Sequence, residues 1–144
     1  MTSLSTSSPV ASSPSAAALI LFAHGARDPR WCAPFERLQQ LAQAQTPNVG
    51  VHLAYLELME PRLPDIVARL ALEGCRQVTI VPVFLGQGAH VLRDLPLIIE
   101  QLQLDHPEVD VAVAGAVGED PQVLDAIARY CIGAVDTAAH CPPL

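Results

Sequence analysis

Four short apolar runs alternate with four amphipathic stretches along this 144-residue chain, and this alternation constrains the fold more than any other feature. Continuous apolar runs are typical of strands buried on both faces, and apolar residues at helical spacing follow each run. Such alternation predicts an α/β fold, a doubly wound four-stranded parallel sheet with right-handed crossovers and helices on both faces. The predicted strands cover residues 19–23, 49–56, 77–85 and 109–114, and the predicted helices cover residues 31–44, 60–74, 94–104 and 121–134.

The length of the chain suits a single domain with its own core. Residues 1–18 are almost wholly Ser, Thr, Ala and Pro, which predicts a disordered leader because such a segment buries too little to offset its ordering entropy. The leader lacks the basic region of a signal peptide. We therefore expect one folded domain over residues 19–136 and a loose tail over residues 137–144.

Composition excludes several classes of function. The net charge is −7, so no global basic field exists to hold nucleic acid or anionic lipid, and no apolar run is long enough for a membrane helix. All eight basic residues are arginine, which rules out a lysine Schiff base and a P-loop lysine. The four cysteines form no CxxC pair and predict free thiols in a reducing cytosol. Only 16% of the residues are charged, and a charge content this low indicates apolar surface covered by a partner.

Reactive side chains follow three of the predicted strands. His24 comes after the first strand and Glu57 at the end of the second, while Gly86, Gly88 and then His90 follow the third. Ligands of doubly wound sheets bind beyond the carboxyl ends of the strands. If the strand order is 2-1-3-4, these three strands are neighbours, and the two imidazoles and the carboxylate share one crevice.

Each of these residues also has a structural interpretation. A single histidine at a strand end is more often a hydrogen-bonded structural residue, but two histidines and a glutamate at three corresponding ends favour a site. The glycines either make turns or clear space for a broad planar ligand. Glu60 serves equally well as a carboxylate at a helix N-terminus, and Asp28 as a helix cap. His52 and Cys75 are assigned to structure.

The motifs of three other classes of enzyme or cofactor site are incomplete or absent. The Gly86-x-Gly88 pair lacks the third glycine of a dinucleotide fingerprint and follows the wrong strand. His106-Pro107-Glu108 has the H-x-E spacing of zinc deaminases, but no PCxxC follows it. No GxSxG nucleophile elbow is present.

Two imidazoles and one carboxylate favour a divalent metal and leave coordination positions open for a substrate. The same groups accept protons near neutral pH. A site that holds a metal and accepts protons suits metal insertion into a macrocycle, because two pyrrole N–H groups lose their protons as the metal enters.

The segments LILFAHGARDPRW, LAYLELMEPRLPD and VTIVPVFLGQGAHVLRDLP resemble the short form of the class II chelatases, the sirohydrochlorin cobalt- and ferrochelatases. The resemblance spans residues 19–131 in the order of the family. It implies a flavodoxin-like half-domain that dimerises, with His24, Glu57 and His90 as catalytic residues that hold the metal and handle the pyrrole protons. Ala26 stands where many members have serine, and the leader lies outside the family pattern.

The resemblance also identifies the substrate partners, a sirohydrochlorin-type tetrapyrrole and Co²⁺ or Fe²⁺, with no cofactor beyond that substrate metal. Sirohydrochlorin bears carboxylates, which arginine pairs with bidentately. The candidate substrate-binding residues are Arg27, Arg30, Arg62, Gly86, Gly88 and Arg93. The alternative for each arginine is a solvated surface charge.

The sequence therefore predicts an ATP-independent chelatase of cobalamin or sirohaem biosynthesis. One alternative is a metal or tetrapyrrole carrier without turnover on the same fold. A phosphate- or flavin-binding module is disfavoured because the phosphate loop is missing. We expect the protein to be cytoplasmic. We also expect a homodimer, because a four-stranded sheet leaves the crevice with one wall and a second copy supplies the other.

Overall fold

A computed structural model describes residues 16–86 and 88–138, except for the side chains at positions 89, 90, 92 and 138. Four parallel strands form one sheet, as the sequence predicted, and their order is β2-β1-β3-β4, the order that a shared crevice requires. The strands are β1 (Ala17–Ala23), β2 (Gly50–Tyr55), β3 (Gln77–Pro82) and β4 (Asp110–Val113). The helices are α1 (Ala33–Gln45), α2 (Leu63–Leu72), α3 (Ala89–Asp105) and α4 (Pro121–Ala138), and short 3-10 helices cover Pro29–Cys32 and Val117–Glu119.

The core lies between the sheet and the helices α2 and α3. Ile20 pairs with Ile80 across β1 and β3, and Phe22 pairs with Ala54 across β1 and β2, so these side chains project from the same face. All four are buried, and Ile66 and Leu102 pack on them from α2 and α3. Alternate residues of each strand therefore project from the opposite face, where α1 contacts β2.

Glutamine side chains form hydrogen bonds with backbone groups of both edge strands. From α1, the Gln39 amide donates to the Val51 carbonyl, and Gln43 accepts from the Val51 N–H at 2.9 Å. At the other edge, the Gln103 amide of α3 donates to the Val111 carbonyl. A side chain bonded to an edge backbone blocks strand addition at that point.

The ends of the domain differ from the prediction. β1 begins at Ala17, inside the predicted leader, because the Ala16 carbonyl accepts hydrogen bonds from the N–H groups of Arg76 and Gln77 and so extends the ladder. The helix α4 reaches Ala138, inside the predicted tail. The rest of the leader, residues 1–15, and the rest of the tail, residues 139–144, lie outside the described part.

Two helix starts were also predicted wrongly. α2 begins at Leu63 rather than at residue 60, because the Pro61 carbonyl accepts from the Tyr55 N–H and ties this segment to the end of β2. α3 begins at Ala89 rather than at residue 94, which places the His90 backbone in the first helical turn.

The described side chains of α4 are exposed, except that of Val123. Its first turn is capped by Asp120, whose Oδ1 accepts from the N–H groups of Gln122 and Val123. We expected Val123, Leu124 and the residues one turn later to face the core, but all of them except Val123 are exposed. In the part of the chain that the structure describes, no helix combines the length and apolarity needed to cross a membrane.

Candidate active site

The backbone ladder between β1 and β2 continues past both strands and brings His24 and Glu57 together. The Leu56 N–H donates to the Ala23 carbonyl at 2.9 Å, and the Glu57 N–H donates to the His24 carbonyl at 3.1 Å. The side chains then meet, with His24 Nε2 3.1 Å from Glu57 Oε1. Both are partly open to solvent, at 44% and 40% exposure, so an incoming ligand can reach them.

Gly25 makes this approach possible. It has φ of +95°, in the left-handed region, and a Cβ placed on it would lie 1.8 Å from the Glu57 carbonyl oxygen. Only glycine fits between these two segments, because any side chain would push Glu57 away from His24.

The rings of Phe22 and Phe84 pack together and support the His24 ring. The ring of Phe84, which follows β3, packs edge-on against Phe22 of β1 with centroids 5.9 Å apart. The His24 ring packs edge-on against Phe84 at 6.4 Å. Phe84 is buried, so it holds the imidazole on a rigid apolar base. Sequence reasoning missed Phe84 because an apolar residue at the end of an apolar run carries no functional signal.

A cleft of about 430 Å³ opens beside Glu57 of the His24–Glu57 pair. Its polar lining comes from Glu57, Arg62 and Asp94, and its apolar lining from Leu56, Leu97 and Ile98. The Arg62 Nη1 donates to the Leu56 carbonyl at 3.1 Å, which holds the guanidinium at the cleft. Sequence reasoning placed Arg62 here but missed Asp94 and Leu97. The i,i+4 spacing of His90 and Asp94 on α3 would have pointed to Asp94.

The third predicted site residue, His90, lies in the first turn of α3. β3 is the neighbour of β1, so its carboxyl end and this turn belong to the same edge of the sheet as His24. The His90 side chain is outside the described part. Among the side chains that are described, no group of three or more His, Cys, Asp or Glu could hold a metal ion.

The remaining arginine candidates are at the surface. Arg30 pairs with Asp28 at 2.8 Å, and this pairing lowers the pKa of Asp28 and raises that of Arg30. Asp28 also accepts from the Arg30 N–H and so caps the 3-10 turn. Arg27 is exposed, and the exposed Arg93 lies 3.4 Å from Asp94 of the cleft.

The structure also shows where Gly86, Gly88, Glu60 and His52 lie. Gly86 and Gly88 are exposed, and a Cβ at either position would meet nothing within 4 Å. Glu60 lines a different groove, which it shares with His52. His52 Nδ1 lies 3.5 Å from Nη2 of Arg69, and partial burial followed by the Arg69 charge lowers its pKa.

Comparisons with known proteins agree on one family. The CbiX family model matches residues 18–132. The sirohydrochlorin cobaltochelatase of Methanocaldococcus jannaschii is 29% identical over 89 residues, which is 62% of each chain. That of Methanosarcina acetivorans is 25% identical over 116 residues, covering 76% of this chain and 89% of the relative. The alignment with the Methanocaldococcus jannaschii protein thus spans less than two thirds of that relative.

Solved structures show the same fold. The CbiX protein of Marinobacter aquaeolei VT8 superposes with a TM-score of 0.75 at 36% identity, covering 84% of this chain and 98% of that one. The sirohydrochlorin chelatase SirB of Bacillus subtilis subspecies spizizenii, in complex with cobalt, gives a TM-score of 0.68 at 21% identity. There the match covers 78% of this chain and 48% of SirB.

Proposed function

Since this chain belongs to the CbiX family, we propose that it is an ATP-independent chelatase that inserts Co²⁺ or Fe²⁺ into sirohydrochlorin. The observation that carries this proposal is the His24–Glu57 pair, 3.1 Å apart at the ends of two adjacent strands and partly exposed to solvent, with Glu57 lining the cleft. Relatives named sirohydrochlorin cobaltochelatase support the choice of substrate.

The reaction needs an acceptor for protons. As M²⁺ enters the macrocycle, two pyrrole N–H bonds break and two protons leave, so the charge of the metal is balanced. A neutral imidazole accepts a proton on its free ring nitrogen, and the Glu57 carboxylate stabilises the imidazolium that forms because it lies in hydrogen-bond contact with His24. His90, in the first turn of α3 at the same edge, is the proposed second acceptor and metal ligand.

The cleft supplies the surfaces that a tetrapyrrole needs. Leu56, Leu97 and Ile98 offer apolar contact for the face of the macrocycle. Arg62 offers a guanidinium for a peripheral carboxylate, and Arg93 lies beside the cleft residue Asp94. Glu57 lines the same cleft, whereas His24 is not among its described lining residues, so Glu57 can act in both substrate binding and proton transfer.

We place the working protein in the cytoplasm and as a homodimer. Free thiols at Cys32, Cys75 and Cys131 support a reducing compartment. The described lining of the cleft comes from α3 and the segment after β2, and a macrocycle needs a second wall to be enclosed. A second copy related by a two-fold axis would supply the second wall.

The test is the initial rate of metal insertion by the purified protein. Sirohydrochlorin changes its absorbance on metallation, so the rate with Co²⁺ and with Fe²⁺ is compared with a protein-free blank. We expect a rate far above the blank with at least one metal. A rate equal to the blank together with tight sirohydrochlorin binding would identify a carrier instead.

A further inference from the structure

We propose that Leu58 is a substrate-binding residue, whose side chain contacts the apolar face of the tetrapyrrole beside Glu57. This inference rests on the proposed function and adds a binding residue that lies outside the described lining of the cleft. It follows from the backbone conformation of Leu58, from its exposure and from the hydrogen bonds that fix the segment around it.

The backbone of Leu58 is in the left-handed region, with φ of +66°. Among the non-glycine residues that the structure describes, Leu58 is the only one with a positive φ. Glycine, asparagine and aspartate tolerate this region, whereas a bulky side chain there is an outlier. Outliers of this kind cluster at active sites and ligand clamps, so the conformation of Leu58 indicates a role in the site.

Hydrogen bonds on both sides of Leu58 impose this conformation. The Glu57 N–H donates to the His24 carbonyl at 3.1 Å, which fixes the residue before Leu58. The Tyr55 N–H donates to the Pro61 carbonyl at 2.9 Å, which fixes the end of the same segment. Only three residues remain in which the chain turns back toward β2, and a left-handed residue makes that reversal. The position of Leu58 relative to the His24–Glu57 pair is therefore fixed as well.

The side chain of Leu58 is 53% exposed, so its own chain covers only about half of its apolar surface. The stabilisation from this partial burial is comparable with what the left-handed backbone costs, and an asparagine at this position would avoid that cost. Folding of the single chain therefore does not account for a leucine here. An apolar contact with a molecule outside the chain does.

The location of Leu58 identifies that molecule as the substrate. Its Cα lies about 3.8 Å from that of Glu57, and Glu57 Oε1 lies 3.1 Å from His24 Nε2. Leu56, on the other side of Glu57 in the sequence, already lines the cleft. A macrocycle is much broader than the His24–Glu57 pair, so a macrocycle centred on the pair reaches the residues next to Glu57.

The chemistry of leucine selects the part of the substrate that it contacts. A hydrated metal ion gains nothing from an aliphatic side chain, and the peripheral carboxylates of the substrate pair with arginine. The apolar ring system is the part that is removed from water by a contact with Leu58. Leu58 therefore binds the face of the macrocycle, while Glu57 beside it handles charge.

The test is the affinity for sirohydrochlorin without added metal, measured from the change of its absorbance on binding. Leu58→Asn suits the left-handed backbone and removes the apolar surface, so we expect a melting temperature within about 4 °C of the wild type. We expect its Kd for sirohydrochlorin to rise about five- to tenfold, the loss that corresponds to burying the remaining half of a leucine. A Kd equal to that of the wild type would overturn the contact.

Two further variants serve as controls. Leu58→Met keeps an apolar side chain of similar volume and should hold the Kd within about twofold of the wild type. Leu72 is 90% exposed at the end of α2, at the opposite end of the sheet from the site, so Leu72→Asn should leave the Kd unchanged. Equal losses of affinity in Leu72→Asn and Leu58→Asn would contradict a specific contact at Leu58.

Steady-state rates of metal insertion separate a substrate contact from a role in placing Glu57. A contact with the face of the macrocycle exists before and during insertion, so Leu58→Asn should raise KM for sirohydrochlorin about five- to tenfold and keep kcat within about twofold. A fall in kcat with an unchanged KM would show that Leu58 acts only through Glu57 and would overturn the contact. Weaker self-association of Leu58→Asn in sedimentation, with an unchanged Kd for sirohydrochlorin, would assign Leu58 to a contact between copies and would also overturn it.

The same measurements distinguish this proposal from the proposed function. Tight sirohydrochlorin binding that Leu58→Asn weakens, without insertion by the wild type, would refute the chelatase and leave the contact in place. Insertion by the wild type with an unchanged Kd and KM for Leu58→Asn would refute the contact and leave the chelatase in place. A wild type that does not bind sirohydrochlorin would refute both.

Discussion

Replacing Gly25 by alanine should damage both the fold and the site, because two separate costs fall on this position. Its φ of +95° costs a residue with a side chain about 1–2 kcal/mol. The new Cβ would also lie 1.8 Å from the Glu57 carbonyl oxygen, so the segment that carries Glu57 must move away from His24. This movement weakens the hydrogen bond from the Glu57 N–H to the His24 carbonyl and adds about 1–2 kcal/mol.

Gly74 is the matched control. It has nearly the same φ, +92°, but a Cβ there meets nothing within 4 Å. Gly74→Ala therefore carries only the backbone cost and should lower the melting temperature by about 4–8 °C, whereas Gly25→Ala should lower it by about twice as much. Displacement of Glu57 by about 1 Å should also reduce the insertion rate about 10²-fold, while Gly74→Ala keeps it.

The assays are thermal unfolding followed by circular dichroism and the initial rate of metal insertion. Equal melting temperatures for the two variants, together with a wild-type rate for Gly25→Ala, would refute the argument that Gly25 sets the approach of His24 and Glu57.

Three further predictions concern single side chains. Glu57→Gln keeps the shape of the pair and removes its charge, so we expect a partial loss of insertion rate. The loss shrinks as the metal concentration rises if Glu57 mainly recruits the cation and is independent of metal if it mainly stabilises the His24 imidazolium; a wild-type rate would contradict both roles. The pKa of His52 is lowered from 6.5 by burial and then by Arg69, so the unfolded chain binds its proton more readily. Stability should therefore fall as the pH drops below about 6.5, and His52→Gln should reduce that slope in urea unfolding measured from pH 7.5 to 5; an unchanged slope would contradict the argument. The Cys32 thiol lies 3.0 Å from the Glu36 carboxylate, which raises its pKa, so Glu36→Gln should speed alkylation of Cys32 by iodoacetamide at pH 7.5, and an unchanged rate would show that the contact does not control the thiol.

The parallel sheet follows from the sequence because the apolar runs are short, continuous and separated by helical patterns, whereas these patterns do not determine the strand order. The same patterns failed where a tertiary contact decides an end. Ala16 extends β1 through hydrogen bonds to residues sixty positions away, and Pro61 is tied to β2, so neither local signal was sufficient.

The site was predictable at the level of strand ends and not at the level of contacts. His24 and Glu57 meet because the β1–β2 ladder continues beyond both strands, which the order 2-1-3-4 implies. The base formed by Phe84 and the cleft residue Asp94 depends on packing across the sheet, which spacing along one sequence does not reveal. The amphipathic pattern of α4 was recognised, but amphipathicity says only that a face is to be covered and not by which chain.

The rate of Co²⁺ insertion by His24→Ala tests most directly whether His24 takes part in metal insertion. His106→Ala serves as the control, since His106 follows α3 at its far end, away from the cleft. We expect His24→Ala to lose about 10²–10⁴-fold in rate, while sirohydrochlorin binding stays within a few-fold of wild type and His106→Ala keeps the wild-type rate. A folded His24→Ala protein that inserts the metal as fast as the wild type would contradict the account.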